Sequence, residues 1–312
     1  MESMATRDAY GKALVELGKI NKDIVVLDAD LSKSTKTENF KKEYPERFFN
    51  IGIAEQNLIG CAAGFSVSGK IPFASSFAVF ATGRAYDQIR NTIGYPHLNV
   101  KIAASHAGLT VGEDGGSHQM IEDIALMRAI PGMTVLVPAD GQETKQAVFA
   151  AAKYEGPVYI RLGRPKVPVI FDENYKFTIG KAVIVREGTD VALMATGIMV
   201  GEALKAADKL NNQGISATVV NISTIKPIDV ETITNVAKKT KAVVTCEEHN
   251  IFGGLGSAVA EVLVENCPVP MERVGVKDVF GESGKPNELL EKYGLTAEHI
   301  VQAAKKVITR KR

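Results

Sequence analysis

Short, continuous apolar runs rich in Val, Ile and Ala alternate along the chain with stretches whose apolar residues return at helical spacing. The runs Ile24–Leu27, Val100–Ala104, Thr134–Val137, Val158–Leu162, Val191–Met194, Ala217–Ile222 and Ala242–Cys246 read as strands. Met120, Ile124 and Met127 predict a helix over Ser117–Ala129, and similar spacing predicts helices over Val200–Asn211 and Ile300–Val307. Because the strands are continuously apolar, both of their faces must be covered. The reading is an α/β protein with two consecutive domains, each a mostly parallel sheet covered by helices. Pro165, Pro168, Asp172, Glu173 and Asn174 interrupt the pattern with no clear helix between them. That divides the chain into a domain at 1–165, a linker at 166–184 and a second domain at 185–312. The basic end, Lys305–Arg312, reads as a frayed, solvated tail.

Composition narrows the function classes. A chain of 312 residues, 45% hydrophobic and 23% charged, is neither disordered, collagenous nor a coiled coil. Its 37 basic and 36 acidic residues nearly cancel, giving no reason to expect nucleic acid or a membrane surface as partner. No apolar run reaches the ~18 residues of a membrane span. The start, Met1–Arg7, lacks the basic segment and apolar stretch of a signal peptide, so a cytoplasmic location is expected. Cys61, Cys246 and Cys267 form no C-x-x-C pair, which speaks against a disulfide framework or a zinc site.

Two segments concentrate chemistry. In Gly52-Ile53-Ala54-Glu55-Gln56-Asn57 a carboxylate stands at a strand-to-helix junction before the small apolar run Leu58–Gly64. Burial there would raise its pKa unless it is paired; the plain alternative is a first-turn glutamate complementing a helix dipole. The second segment runs from Ser105-His106 through Gly112-Glu113-Asp114-Gly115-Gly116-Ser117-His118-Gln119. It follows a strand, where α/β proteins place ligands. Histidines, acids and glycines together suit acid–base work and close backbone approach. A glycine-rich turn with Ser117 as helix N-cap is the structural alternative. A metal site from His106, Glu113, Asp114 and His118 fits no zinc spacing, and no G-x-S-x-G elbow, Walker loop or G-x-G-x-x-G is present. Gly253-Gly254-Leu255-Gly256 is a partial glycine loop that could cap a helix, approach an anion or serve close packing.

These residues resemble a known family. Ile53–Asn57, then Phe77 and Phe80 before Arg84-Ala85-Tyr86-Asp87-Gln88, then Gly112–Gln119, are similar to the pyrimidine-binding domain of transketolase. Glu247-Glu248-His249 leading into Gly253–Gly256, and Ser283-Gly284-Lys285-Pro286-Asn287-Glu288-Leu289-Leu290, resemble the transketolase C-terminal domain. The Gly-Asp-Gly signature of the family's diphosphate-binding domain is absent, so the chain resembles the C-terminal section of a split transketolase.

The resemblance implies thiamine diphosphate as cofactor, with Mg²⁺ held by a separate N-terminal subunit, and shuttling of a ketol unit between sugar phosphates in the pentose phosphate pathway. It implies two copies of each chain in a heterotetramer, with a homodimer of this chain inside it and an apolar face left for the partner. Glu55 matches the glutamate at the pyrimidine N1′, Phe77 and Phe80 the aromatic pocket, and Asp30 a residue near the cofactor. His106 and Asp114 match contacts to donor-sugar hydroxyls, and His118 a residue near cofactor and substrate oxygens. Arg7, Ser34 and Arg164 match phosphate-binding positions. The rival is the β chain of a 2-oxo acid dehydrogenase, which shares the layout and an Ile-Ala-Glu-Gln-like segment.

Overall fold

The computed structural model describes residues 3–311; Met1, Glu2 and Arg312, the outer ends of the start and tail segments, lie outside the described residues. In chain order the strands are β1 (Ser3–Ala5), β2 (Ile24–Asp28), β3 (Phe48–Asn50), β4 (Ile71–Ser75), β5 (Lys101–Ala104), β6 (Thr134–Leu136) and β7 (Val158–Arg161). They continue with β8 (Lys166–Pro168), β9 (Val183–Arg186), β10 (Val191–Ala195), β11 (Ala217–Asn221), β12 (Thr224–Lys226), β13 (Val243–Asn250) and β14 (Met271–Val276).

One sheet has the order β12-β6-β7-β5-β4-β2-β3 and the other β14-β13-β10-β11-β9. Within these two large sheets pairing is parallel except where β12 joins β6 and β9 joins β11; β1 and β8 form a separate antiparallel two-stranded sheet. The central strands β2, β5, β7, β10 and β11 are buried along their whole length, as strands covered on both faces must be. Helix Thr6–Ile20 buries Ala9, Tyr10, Ala13, Leu14 and Leu17 on one stripe, and helix Ala297–Ile308 buries Ile300, Val301, Ala304 and Val307.

The two halves interlock. Strand β12 belongs to the later part of the chain yet extends the first sheet through β6. Two N-cap aspartates fasten the segment between the halves. Asp140 accepts from Glu143 N at its helix start and, through Oδ2, from the N–H groups of Ile170 and Phe171. Asp229 likewise accepts from Thr232 N and from Ala182 N. Below the loops that carry the site lies a buried ion pair. Arg161 Nε and Tyr159 Oη both donate to Asp123 Oδ2, at 2.8 and 2.6 Å. Arg161 also donates to the carbonyls of Met120 and, across the domain boundary, Glu248.

Three expectations are corrected. The helix expected over Ser117–Ala129 begins only at Asp123. Residues 109–120 instead fold back on themselves, closed by Gly108 N donating to Met120 O at 2.7 Å, and the Ser117 hydroxyl pairs with His118 Nδ1 instead of capping a helix. Strand β13 runs on to Asn250, past the expected end at Cys246, and so carries Glu247-Glu248-His249. The tail is not frayed up to residue 311: Lys305 and Lys306 are helical, and Lys306 and Arg310 both pair with Glu272.

Asp123→Ala would leave the Arg161 charge buried without its counter-ion. We expect a loss of about 3–5 kcal/mol, read from the denaturant midpoint. A loss below about 1 kcal/mol would show that the pair does not hold the halves together.

Candidate functional site

The strand order β7-β5-β4-β2-β3 sets the loops at five carboxyl ends side by side, the position where open parallel sheets bind ligands. Glu55 follows β3, Asp30 and Ser34 follow β2, Phe77 and Phe80 follow β4, and Arg164 follows β7. His106, Asp114 and His118 follow β5. Arg7 arrives from the first turn of helix Thr6–Ile20, pinned beside the β7 loop by Gly163 N donating to Thr6 Oγ1 at 2.7 Å.

Glu55 is buried at the start of helix Glu55–Val67. Its Oε2 accepts from Arg84 Nη1 at 2.7 Å, and Ser76 Oγ donates to Oε1 at 3.4 Å. The half-exposed Arg84 guanidinium lies over the Phe80 ring at 4.5 Å. Phe80 stacks with Phe77 at 6.0 Å, and Phe77 stacks on His106 at 3.8 Å. His118 meets both phenylalanines edge-on, at 6.4 and 5.3 Å. The backbone over Val79–Arg84 is π-helical, a rare form that recurs at functional sites. Both alternatives for Glu55 are thus met in part: it is a first-turn residue, and it is also a buried carboxylate with a dedicated cation.

A cationic patch adjoins this aromatic pocket. Arg7 Nη1 donates to the Ser34 carbonyl at 3.1 Å and lies 3.0 Å from His106 Nε2. An arginine can only donate, so Nε2 is the acceptor. The proton then sits on Nδ1, 2.9 Å from Ser105 Oγ. Burial, helped by the charges of Arg7 and Arg164, pushes His106 down to about 3, so the ring is neutral. Arg164 donates to the Val111 carbonyl and reaches Glu113 at 3.4 Å and Asp114 at 3.9 Å. Lys36, held in a left-handed turn and paired with Asp8 at 3.2 Å, adds to the positive field at His106.

Asp30 is exposed just past the end of β2. Its carboxylate accepts from Asn50 Nδ2 at 2.8 Å and its N–H donates to Asn50 Oδ1, joining the ends of β2 and β3 just before the Glu55 segment. Arg84, Lys36 and Ser105 went unassigned in the sequence reading. Arg84 stands inside a quoted motif, but only the fold brings it to a glutamate 29 positions earlier. Buried Asp28, likewise unassigned, shapes the loop bearing Ser34 by accepting from Leu31 N, Thr35 Oγ1 and Thr37 Oγ1.

The glycine loop at 253–256 has an anion of its own. Glu247 accepts from Leu255 N and Gly256 N at 2.6 and 2.8 Å, and burial pushes this carboxyl up to about 7. Among the described residues no three His, Cys, Asp or Glu side chains are grouped to hold a metal ion, and no helix is long and apolar enough to cross a membrane.

Residues 2–169 match the family model for the transketolase pyrimidine-binding domain, and residues 180–300 that for the transketolase C-terminal domain. A chain of Methanocaldococcus jannaschii assigned as a transketolase C-terminal section is 55% identical over 95% of this chain and 94% of its own length. The 6-deoxy-6-sulfo-D-fructose transketolase subunit SqwH of Clostridium sp. (strain MSTE9) is 49% identical over 100% of this chain and 97% of its own. A solved split-gene transketolase, described as an inactive β4 tetramer, superposes with a TM-score of 0.94. It is 60% identical, covering 99% of this chain and 100% of that one.

His106 titrates at about 3 in the fold against about 6.5 when unfolded, so between these values the unfolded chain binds more protons. Its contribution to stability is therefore present above pH ~6.5 and lost as pH falls towards 3. His106→Asn is expected to flatten the acid limb of a stability-versus-pH curve relative to wild type. Superimposable limbs would place the neutral histidine in doubt.

Proposed function

The chain belongs to the transketolase family, and on that premise we propose that it is the C-terminal subunit of a two-subunit transketolase. The complex transfers a two-carbon ketol unit from a ketose phosphate to an aldose phosphate through thiamine diphosphate. The observation that carries this reading is the buried Glu55 carboxylate beside the stacked Phe77–Phe80 pair. That pocket already takes a flat, N–H-bearing group: the Arg84 guanidinium lies on the Phe80 face and donates to Glu55. An aminopyrimidine ring makes the same two demands, so the residues present fit the cofactor.

When bound, thiamine diphosphate supplies the electron sink that ketol transfer needs. The chain's own residues do the rest. Glu55 holds the proton at the pyrimidine N1′, and its burial makes that interaction stronger than water would allow. Phe77 and Phe80 cover the ring and exclude water, with Asp30 near the cofactor. Arg84, half-exposed and paired with Glu55, would have to give way to the ring. Neutral His106, with Asp114 and His118, offers donors and acceptors to the donor-sugar hydroxyls; His118 is a contact to cofactor and substrate oxygens and not an obligatory base. Arg7, Ser34 and Arg164 take the phosphate, where charge-assisted bonds are strongest.

The partner in this reading is an N-terminal subunit that carries the diphosphate-binding domain and holds Mg²⁺. Two copies of each chain form a heterotetramer around a homodimer of this one. The full-length likeness to a transketolase C-terminal section and to a split-gene transketolase chain supports this arrangement. So does Ile53, 78% exposed and two residues before Glu55, where a partner surface would cover it. The pentose phosphate pathway and the cytoplasm are the setting that follows. The full-length likeness to transketolase sections favours this reading over a 2-oxo acid dehydrogenase β chain. The likeness to a sulfofructose transketolase subunit raises one second reading, a sugar sulfonate as donor, since Arg7 and Arg164 suit either anion.

Two measurements test the proposal. In the assembled complex Glu55→Gln should lower ketol transfer by roughly 10²- to 10⁴-fold without changing assembly. Near-normal turnover would remove Glu55 from the mechanism. Arg7→Ala should raise KM for a ketose phosphate about 10- to 100-fold and leave an unphosphorylated ketose unchanged. Equal losses on both would contradict its role at the phosphate. A wild-type preference for the 6-sulfo over the 6-phospho ketose would establish the sulfonate reading.

A further inference from the structure

The loop that carries Asp114 and His118 is held by the C-terminal half of the chain. Gln119 Nε2 donates to the Leu109 carbonyl at 3.0 Å, drawing the two ends of the loop together. The same nitrogen donates at 2.9 Å to the carbonyl of Glu282, 163 positions later. Gln119 is itself buried. A second tie lies at the loop's entry: Thr110 N donates at 2.6 Å to Oε1 of Glu248, buried at the end of β13. Glu248 lies directly against Gly108, whose φ is +84° and where an added Cβ would stand 2.2 Å from the carboxylate carbon.

Glycines let the two segments approach this closely. A Cβ on Gly115 would come within 2.4 Å of Ser283 Oγ, one on Gly116 within 2.8 Å of the Gly281 carbonyl, and one on Gly281 within 1.8 Å of Gln119 Oε1. The 280–286 segment is braced in turn from helix Pro286–Lys292 and the residue after it. Tyr293 Oη donates to the Phe280 carbonyl at 3.0 Å, and Lys292 pairs with Glu282. Glu248 of the first C-terminal motif, and Ser283 and Pro286 of the second, therefore lie against one loop of the other domain.

We propose that Gln119 and Glu248 are positioning residues that latch loop 109–119 to the C-terminal domain and so set where Asp114 and His118 meet the donor sugar. This deepens the transketolase reading and rests on it. The C-terminal domain is then part of the donor-sugar site, although it supplies none of the groups assigned to touch the sugar. A packing role alone would need neither a single amide spanning both loop ends and the other domain, nor a buried carboxylate, in the field of Arg161, turned to a peptide N–H of that loop.

The test is Gln119→Met, which keeps side-chain length and removes both donors, with Gln119→Glu as the second variant because its carboxylate faces two carbonyl oxygens. In the complex with the N-terminal subunit, Gln119→Met is expected to raise donor-ketose KM about tenfold while the acceptor KM, cofactor affinity and assembly stay as in wild type. In the chain alone, amide hydrogen exchange across 110–118 should quicken in both variants, with exchange in the central strands unchanged. A donor KM equal to wild type, or donor and acceptor KM rising together with loss of cofactor, overturns the assignment; so does exchange unaltered by either variant. A wild-type complex inactive on sugar phosphates counts instead against the transketolase reading, and the exchange measurement still decides whether the latch exists.

Discussion

A carboxylate taken out of water must be met by donors, and the candidate site is arranged around that demand at Glu55. The fold supplies Arg84 for one oxygen and Ser76 for the other. Arg84 is half exposed while Glu55 is fully buried. A pocket with a buried acceptor and an aromatic wall suits a flat donor-bearing group, and the Arg84 guanidinium is one. The neighbouring histidine is kept neutral by the same burial and by adjacent arginines, so the cationic patch next to it comes from Arg7 and Arg164.

The same demand recurs in the second half of the chain and there builds the frame. Glu247 is met by the first peptide N–H groups of helix Leu255–Asn266. Glu248 is met by Thr110 N across the domain boundary. His249, which burial pushes down to about 4, donates from Nδ1 to the Asn250 carbonyl and accepts from Ala125 N at 3.4 Å. Three successive residues near the end of one strand thus tie a helix start, loop 109–119 and a helix of the other domain. With the Arg161–Asp123 pair beneath them, they make the two halves one structural unit.

Much of this was legible in the sequence. Continuous apolar strands point to the α/β class, and the clustering of His106, Asp114 and His118 after one strand points to a candidate site from residue types alone. Assembly was not legible, because it depends on strand order. Ser34, Glu55 and Arg164 are scattered along the chain, and only the order β7-β5-β4-β2-β3 sets their loops side by side, with Arg7 brought to the β7 loop through Thr6. The helix expected from Ser117 failed for a local reason. Met120 has helical spacing to Ile124 but spends its carbonyl on Gly108, and Gln119 spends its amide on two distant carbonyls. Glycine-rich loops with such long-range partners override apolar periodicity.

The central claim is that this chain holds one half of a cofactor site, the half that grips the pyrimidine. The most direct measurement is calorimetric titration of thiamine diphosphate with Mg²⁺ into this chain, into the N-terminal subunit and into the two together. The account predicts tight, stoichiometric uptake only when both chains are present, abolished when either is omitted. Uptake by this chain alone as tight as by the pair, or none by the assembled pair, would contradict it.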